Sequence, residues 1–222
     1  MTNAHILASK LSIPMHPDLF ISSRLSGILK HLTEKRLTVV TAGAGHGKTA
    51  LTAWAVRHKD ITPVWYHLDE QDRDFSRFIR YAAAGLTSCT KNPCPMMERR
   101  IAPFSAIHRE RALAEIVHAL EAAPGPRVCL VLDDFHTVQE ETAILESVKF
   151  LVENLPPWFH IILLTRSTPE MGLSRLHLTG QAVEITESDL LFTLDETRQF
   201  LTKHLWPRPP KKIFAGYLIP ST

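Results

Sequence analysis

The segment Ala42-Gly43-Ala44-Gly45-His46-Gly47-Lys48-Thr49 lies between an apolar run, Leu37 to Thr41, and a stretch of helical character from Lys48 to about His58. No other feature constrains the fold as much. A strand that feeds a glycine-rich turn and then a helix is half of a parallel α/β unit. Glycines let the backbone curl until successive N–H groups face one anion, and the helix N-terminus adds partial positive charge. The pattern predicts a cradle for the phosphates of a nucleoside triphosphate. Gly43, Ala44, Gly45, His46, Gly47, Lys48, Thr49 and Ala50 are the expected nucleotide-binding set. Lys48 is expected to reach the β- and γ-phosphates and Thr49 to ligate Mg²⁺. The usual pattern opens with Gly, and here Ala42 stands in that place. The competing reading is a glycine-rich turn that binds nothing. Gly47-Lys48-Thr49, with a strand before it and a helix after it, outweighs that reading.

The chain has 222 residues, enough for one α/β domain with a sizeable core. Hydrophobic residues make up 45% and charged residues 22%, as in ordinary globular domains. A net charge of +2 gives no argument for a nucleic-acid surface spread over the whole chain. Cys89, Cys94 and Cys129 lack the spacing of a zinc site or a disulfide framework, which fits a reducing cytoplasm. No apolar stretch approaches the ~18–20 residues of a membrane span. Met1 to Lys10 lacks the apolar core of a signal peptide.

Strand and helix signals alternate along the chain. Ser23 to Leu32 reads as a helix, and Pro63 to Leu68 as a strand that ends in the acidic turn Asp69-Glu70-Gln71-Asp72. That turn is expected to be solvated, with contact to the water shell of a metal as the alternative. A helix follows, with Phe75, Phe78, Ile79, Ala82 and Leu86 on its core face. Trp54 and Trp65 are also expected in the core. A proline-rich loop spans residues 88–104. Leu113, Ile116, Val117 and Leu120 mark the next helix, which Pro124-Gly125-Pro126 stops. Arg127 to Leu132 and Phe159 to Leu164 are apolar enough for strands buried on both faces, with a helix through Ile144 to Leu155 between them. Residues 183–186 suggest a fifth strand. Asp195 is the expected cap of a helix through Leu205. These elements predict a mostly parallel five-stranded sheet flanked by helices. Residues 1–22 are expected to form an irregular lead-in, 23–187 the nucleotide-binding domain, and 207–222 a basic, proline-rich, disordered tail.

The buried strand before Asp133-Asp134 supplies the second half of a nucleotide site. Asp133 is expected to hold Mg²⁺, and Asp134 to orient or deprotonate an attacking water. The alternative is a pair of acids that only caps a turn. Arg166 follows the next strand, at the sheet edge where ligands of α/β folds bind, and is expected to sense the γ-phosphate or stabilise transition-state charge. A solvated surface arginine is its alternative. His46 and His136 lie close to these motifs and are read as polar neighbours rather than catalysts.

Taken in order, Arg24-Leu25, Ala42 to Thr49, Trp65-Tyr66-x-Leu68-Asp69, Leu132-Asp133-Asp134-Phe135-His136 and Thr165-Arg166 resemble a known family. This is the ATPase domain, of NB-ARC/AAA-like type, of the maltose-regulon activator and its large LuxR-type relatives. These are bacterial signal-transduction ATPases of the STAND class. Leu190-Leu191-Phe192-Thr193, with Glu196 and Phe200, resembles the segment where that core passes into a helical domain, here residues 188–206. The likeness runs over roughly residues 10–205. It implies a P-loop NTPase of ASCE type, in which the acid strand does not neighbour the loop strand. It also implies ATP/ADP and Mg²⁺ as ligands, Asp134 as the hydrolytic carboxylate and Arg166 as a sensor. Slow hydrolysis and self-association in the ATP state belong to the same resemblance. The family tolerates a small residue at the Ala42 position. It often carries Arg where Ser22 stands, which puts contacts near the base or lead-in in doubt. Relatives continue into a sensor region and a helix-turn-helix. No DNA-binding domain is legible in this chain, so transcriptional output is expected to lie outside it. The alternatives are a truncated nucleotide-binding fragment without catalytic output and a metabolic P-loop kinase. No arginine-rich lid favours the latter.

Overall fold

Apolar residues alternate between two faces along the strands of this chain, and the fold follows from burying both. The computed structural model describes residues 6–16, 19–89, 106–122 and 127–204. Of the proline-rich loop expected at 88–104, Ser88 and Cys89 instead end a helix; the rest of it, Cys94, Pro124-Gly125-Pro126 and the tail expected at 207–222 lie outside the described residues. The strands are β1 (Leu37–Thr41), β2 (Thr62–His67), β3 (Val128–Asp133), β4 (Phe159–Thr165) and β5 (Ala182–Thr186). The helices are α1 (Ser23–Lys30), α2 (Lys48–Arg57), α3 (Phe75–Cys89), α4 (Ala106–Glu121), α5 (Thr142–Asn154), α6 (Leu173–Leu178), α7 (Glu187–Leu190) and α8 (Leu194–His204).

The strands form one sheet in the order β2-β3-β4-β1-β5, and every pairing is parallel. The expected fifth strand is present. One strand, β4, separates the loop strand β1 from the acid strand β3. Successive side chains of a strand point to opposite faces, so each strand feeds two cores. On one face Val39, Tyr66, Leu130, Leu132 and Leu163 pack with residues of α3, α4 and α5. On the other, Val40, Trp65, Val131, Ile162 and Leu164 pack with α1 and α2. Strands β3 and β4 are buried along their whole length, as central parallel strands must be. Trp65 and Phe78 are core residues. Trp54 is half-buried and stacks on His58.

Three local expectations are corrected. The lead-in is not wholly irregular: Ala8–Leu11 forms a 3₁₀ turn that carries Lys10 inward. The Asp69–Asp72 turn is solvated only in part: Glu70 and Gln71 are exposed, but Asp72 is not. Glu70–Arg73 forms a 3₁₀ turn closed by a capping box between Asp69 and Asp72. Asp72 is fully buried, pairing with Lys10 and, at 2.8 Å, with Arg77. An unpaired carboxylate could not stay charged there; two cations and the Asp69 N–H, 2.9 Å away, satisfy it. The third correction concerns α8, which is capped by Thr193 rather than Asp195. The Thr193 hydroxyl accepts from Glu196 N–H at 3.2 Å, and the Glu196 carboxylate accepts from Thr193 N–H at 2.7 Å.

Candidate functional site

Parallel pairing places the C-terminal ends of all five strands along one edge. Thr41, Thr165 and Thr186 align across β1, β4 and β5, and His67 aligns with Asp133 across β2 and β3. The loop after β1 curls over this edge. Gly45 and Gly47 adopt left-handed φ values of 83° and 76°, which other residues adopt only under strain. Ala42 needs no such freedom. It is buried in the α1/α2 core, and its N–H extends the β1–β4 ladder by donating to Thr165 O at 3.3 Å. Alanine at the first loop position thus fits the local structure.

Lys48 opens α2. It is 8% exposed and donates to the carbonyls of Ala42 and Gly43 at 2.7 and 2.8 Å. Burial lowers its pKa from the ordinary lysine value, and Arg166 adds to that effect. The charges of Asp134, Asp133 and Glu187 act in the opposite direction. Thr49, one residue on, donates to Asp133 Oδ1 at 3.0 Å. The same oxygen accepts from the Asp134 N–H at 3.1 Å. Asp133 is 1% exposed, and its Oδ2 is buried and makes no hydrogen bond, with His67 Nδ1 3.5 Å away. A buried carboxylate oxygen that makes no hydrogen bond is costly, so a cation or a water-bound cation is a group this position fits. The donor set of a hydroxyl and a carboxylate suits a hard ion such as Mg²⁺.

Asp134 has φ 57° and is the non-glycine residue at positive φ among the described residues. Such a backbone costs about 1 kcal/mol or more and concentrates at functional sites. The strain turns the chain sharply after β3, and the turn is secured by Thr137 N–H and hydroxyl donating to the Asp134 carbonyl. Arg166 is exposed just beyond β4. Its position after β4 sets it at the same sheet end as the loop, and its charge acts on Lys48 and His136. His136 lies 3.8 Å from Asp134, but burial and Arg166 lower its pKa, which works against an ion pair there. Lys48, Thr49, Asp133, Asp134 and Arg166 are therefore gathered at one end of the sheet. Gly43, Ala44, Gly45, His46 and Gly47 form the loop above them, and Ala50 lies in the first turn of α2.

Two residues at this edge escaped the sequence reading. His67 ends β2 with Nδ1 3.5 Å from Asp133 Oδ2 and Nε2 3.8 Å from Asp134 Oδ2. Its contact with Asp133 raises its pKa above the ordinary imidazole value, against burial. Glu187 follows β5 and reaches over the loop. It accepts from Gly43 N–H at 3.0 Å and lies 3.4 Å from His46 Nε2. A side chain at Gly43 would meet the His46 ring at 3.2 Å and Glu187 at 3.4 Å. Contacts then continue away from the loop. Asp189, two residues after Glu187, caps α7 through Thr186, and Arg24 donates to the carbonyls of Asp189 and Leu191. Arg24 also pairs with Glu196 of α8 at 2.8 Å. Ser22 caps α1 by accepting from Leu25 N–H at 3.1 Å, and it also donates to Glu196. Serine at this position thus has a role of its own. A separate cavity of about 830 Å³, bordered by Gln139, Glu146, Lys149, Thr168 and Met171, contains no residue of the loop.

A parallel sheet in this order, with the glycine loop and the acid at one edge and a strand between them, is the P-loop NTPase fold of ASCE type. Solved structures share it. A Signal Transduction ATPase with Numerous Domains (STAND) protein with a tetratricopeptide repeat sensor, from Pyrococcus horikoshii, matches with TM-score 0.53 and 16% identity, over 86% of this chain and 26% of that one. Cdc6p of Pyrobaculum aerophilum matches with TM-score 0.53 and 16% identity, over 88% of this chain and 52% of that one. Orc1 of Aeropyrum pernix, solved in complex with DNA, gives TM-score 0.56 and 16% identity, over 84% and 50%. The chain thus spans about a quarter of the first protein and about half of the other two. At this identity the likeness defines the fold. No family model matches the sequence. Among the described residues no helix is long and apolar enough to cross a membrane.

Proposed function

We propose that this chain is an ATP-binding, slowly hydrolysing signal-transduction module of the STAND class, of the kind the maltose-regulon activator and the large LuxR-type regulators carry. One observation carries the reading. Beneath a loop with glycines in left-handed conformations, Thr49 is bonded to a buried Asp133 whose second oxygen makes no hydrogen bond. A turn that binds nothing has no use for that arrangement.

In this reading Lys48 exchanges its two loop carbonyls for phosphate oxygens, and the backbone N–H groups from Gly43 to Ala50 surround the phosphate chain. Thr49 and Asp133 would hold Mg²⁺, which supplies charge neutralisation at the β- and γ-phosphates. Asp134 accepts the proton of an attacking water and orients it. Arg166 faces the charge that develops on the transferred group. Residues 23–187 form the nucleotide-binding unit and 188–206 the start of a helical continuation. Contacts link Gly43 to Glu187 and, beyond the α7 backbone at Asp189, Arg24 to Glu196, and they support a switch, since they tie the loop to α8. ATP and ADP forms would then differ in α8 contacts and in self-association, and the protein would act in the cytoplasm.

Equilibrium titration with a labelled ATP analogue tests the site. Lys48→Ala removes a charged contact worth about 3 kcal/mol, so affinity should fall at least about 100-fold. Unchanged affinity in the variant overturns the assignment. Size measurement in ADP and in ATP tests the switch.

A further inference from the structure

The residue that neither loop nor acid motif explains is His67. It is the last residue of β2, and register with β3 sets it directly beside Asp133. Both ring nitrogens face carboxylates, Nδ1 at 3.5 Å from Asp133 Oδ2 and Nε2 at 3.8 Å from Asp134 Oδ2. One ligand atom each from His67, Asp133 and Asp134 fall within 4.8 Å of one another, a spread that one ion can bridge. Acids at a sheet edge alone would say little. Here the Asp133 oxygen nearest the imidazole is buried and makes no hydrogen bond; the imidazole lies 3.5 Å from it. Asp133 is held through its other oxygen by Thr49 and cannot turn away without breaking that bond.

We propose that His67 is a direct nitrogen ligand in the metal site, making it a mixed nitrogen–oxygen site that favours Mn²⁺ and later divalent transition ions over Mg²⁺. Mg²⁺ is hard, prefers oxygen and keeps its water, whereas imidazole strengthens binding along the transition series. A site with oxygen ligands alone would accept either ion with little discrimination. The inference rests on the reading of this edge as a metal-bearing nucleotide site, and names the ion class that site selects.

The test uses the full chain with Mn²⁺, alone and with ADP, followed by electron paramagnetic resonance and by competition with Mg²⁺. Bound Mn²⁺ should show pulsed-resonance modulation from a directly bound nitrogen, and the pattern should change when histidine is labelled with ¹⁵N. His67→Ala should abolish the modulation and weaken Mn²⁺ about tenfold, at the low end of the roughly 10- to 100-fold costs seen on altering metal surroundings, while changing Mg²⁺ affinity less than about twofold. His67→Gln keeps the side-chain length and should show the same loss, and circular dichroism confirms that both variants fold. Absence of nitrogen modulation in the wild type, or equal loss of both ions in the variants, overturns the inference. Labelled-nucleotide binding measured in chelator keeps the two readings apart. Nucleotide bound without nitrogen coupling sinks the His67 ligand alone. Nitrogen-coupled Mn²⁺ without any nucleotide binding sinks the ATPase reading and leaves the ligand standing.

Discussion

Replacing Glu196 with Gln should loosen the contact between α8 and α1 in a way that pH reveals. Glu196 is 5% exposed. Its carboxylate accepts from the Ser22 hydroxyl, from Arg24 Nε at 3.0 Å and Nη2 at 2.8 Å, and from Thr193 N–H at 2.7 Å. A hydrogen bond to a charged group contributes about 1.5–3 kcal/mol, and bonds to one carboxylate do not add. Arg24 is 35% exposed and keeps its bonds to the carbonyls of Asp189 and Leu191, so water can serve it in the variant. Gln retains the shape and one acceptor oxygen. The expected cost is therefore about 2 kcal/mol, below the ~3–5 kcal/mol of a stranded buried charge. For a domain of this size that lowers Tm by roughly 4–8 °C.

The pH dependence follows from the same contacts. The Arg24 hydrogen bond, with help from Ser22 and Thr193 and against burial, lowers the Glu196 pKa from 4.5 to about 2. A carboxylate with a depressed folded-state pKa contributes stability that is whole above its unfolded value and is lost as pH falls through the folded value. Between pH 7 and pH 4 the loss is about 0.8 kcal/mol. Gln has no proton to take up, so the gap between the two proteins should narrow by roughly 2–3 °C over that range. Thermal melts followed by circular dichroism at pH 7, 5 and 4 measure it. A Tm equal to that of the wild type, or a gap that stays constant on acidification, would refute the reasoning.

Asp134→Ala should keep ATP bound while phosphate release falls at least about 100-fold, the scale of a lost general base. Equal release from both proteins removes Asp134 from that role. The substitution should not destabilise the fold by more than about 1 kcal/mol, since the bonds of this turn are made by the Asp134 backbone, not its side chain. Asp72→Asn should cost about 3 kcal/mol, because Lys10 is 6% exposed and loses its buried partner. Asp69, still within 2.8 Å of Lys10, holds the cost to the lower end of the range for broken buried pairs. Chemical denaturation reads this directly, and a variant within 1 kcal/mol of wild type would show that Lys10 reaches water instead.

What could be read from the residues depended on the range of the interaction. The β1–loop–α2 unit spans contiguous residues, so glycine spacing and apolar runs were enough for it. Asp133 was legible because a fully buried strand that ends in an acid is a local pattern. The strand order was not local. Nothing in Val128 to Asp133 says that β4 lies between β3 and β1, and that expectation came from family resemblance. His67 and Glu187 were missed for the same reason: each matters only through a neighbour supplied by sheet order, β3 for His67 and β1 for Glu187. Asp72 was misread as solvated because its partner Lys10 lies 62 residues away, on a turn that appeared irregular. The Thr193 cap is a different kind of miss. Thr193-x-x-Glu196 is a local signature, and Asp195, an acid at the helix start, competes with it as a cap in the sequence. Glu196 therefore could not be assigned from the capping pattern alone to its second task, holding Arg24. One carboxylate closes the first turn of α8 and fastens that helix to α1, which is why its charge, rather than its shape, should set how firmly α8 is held.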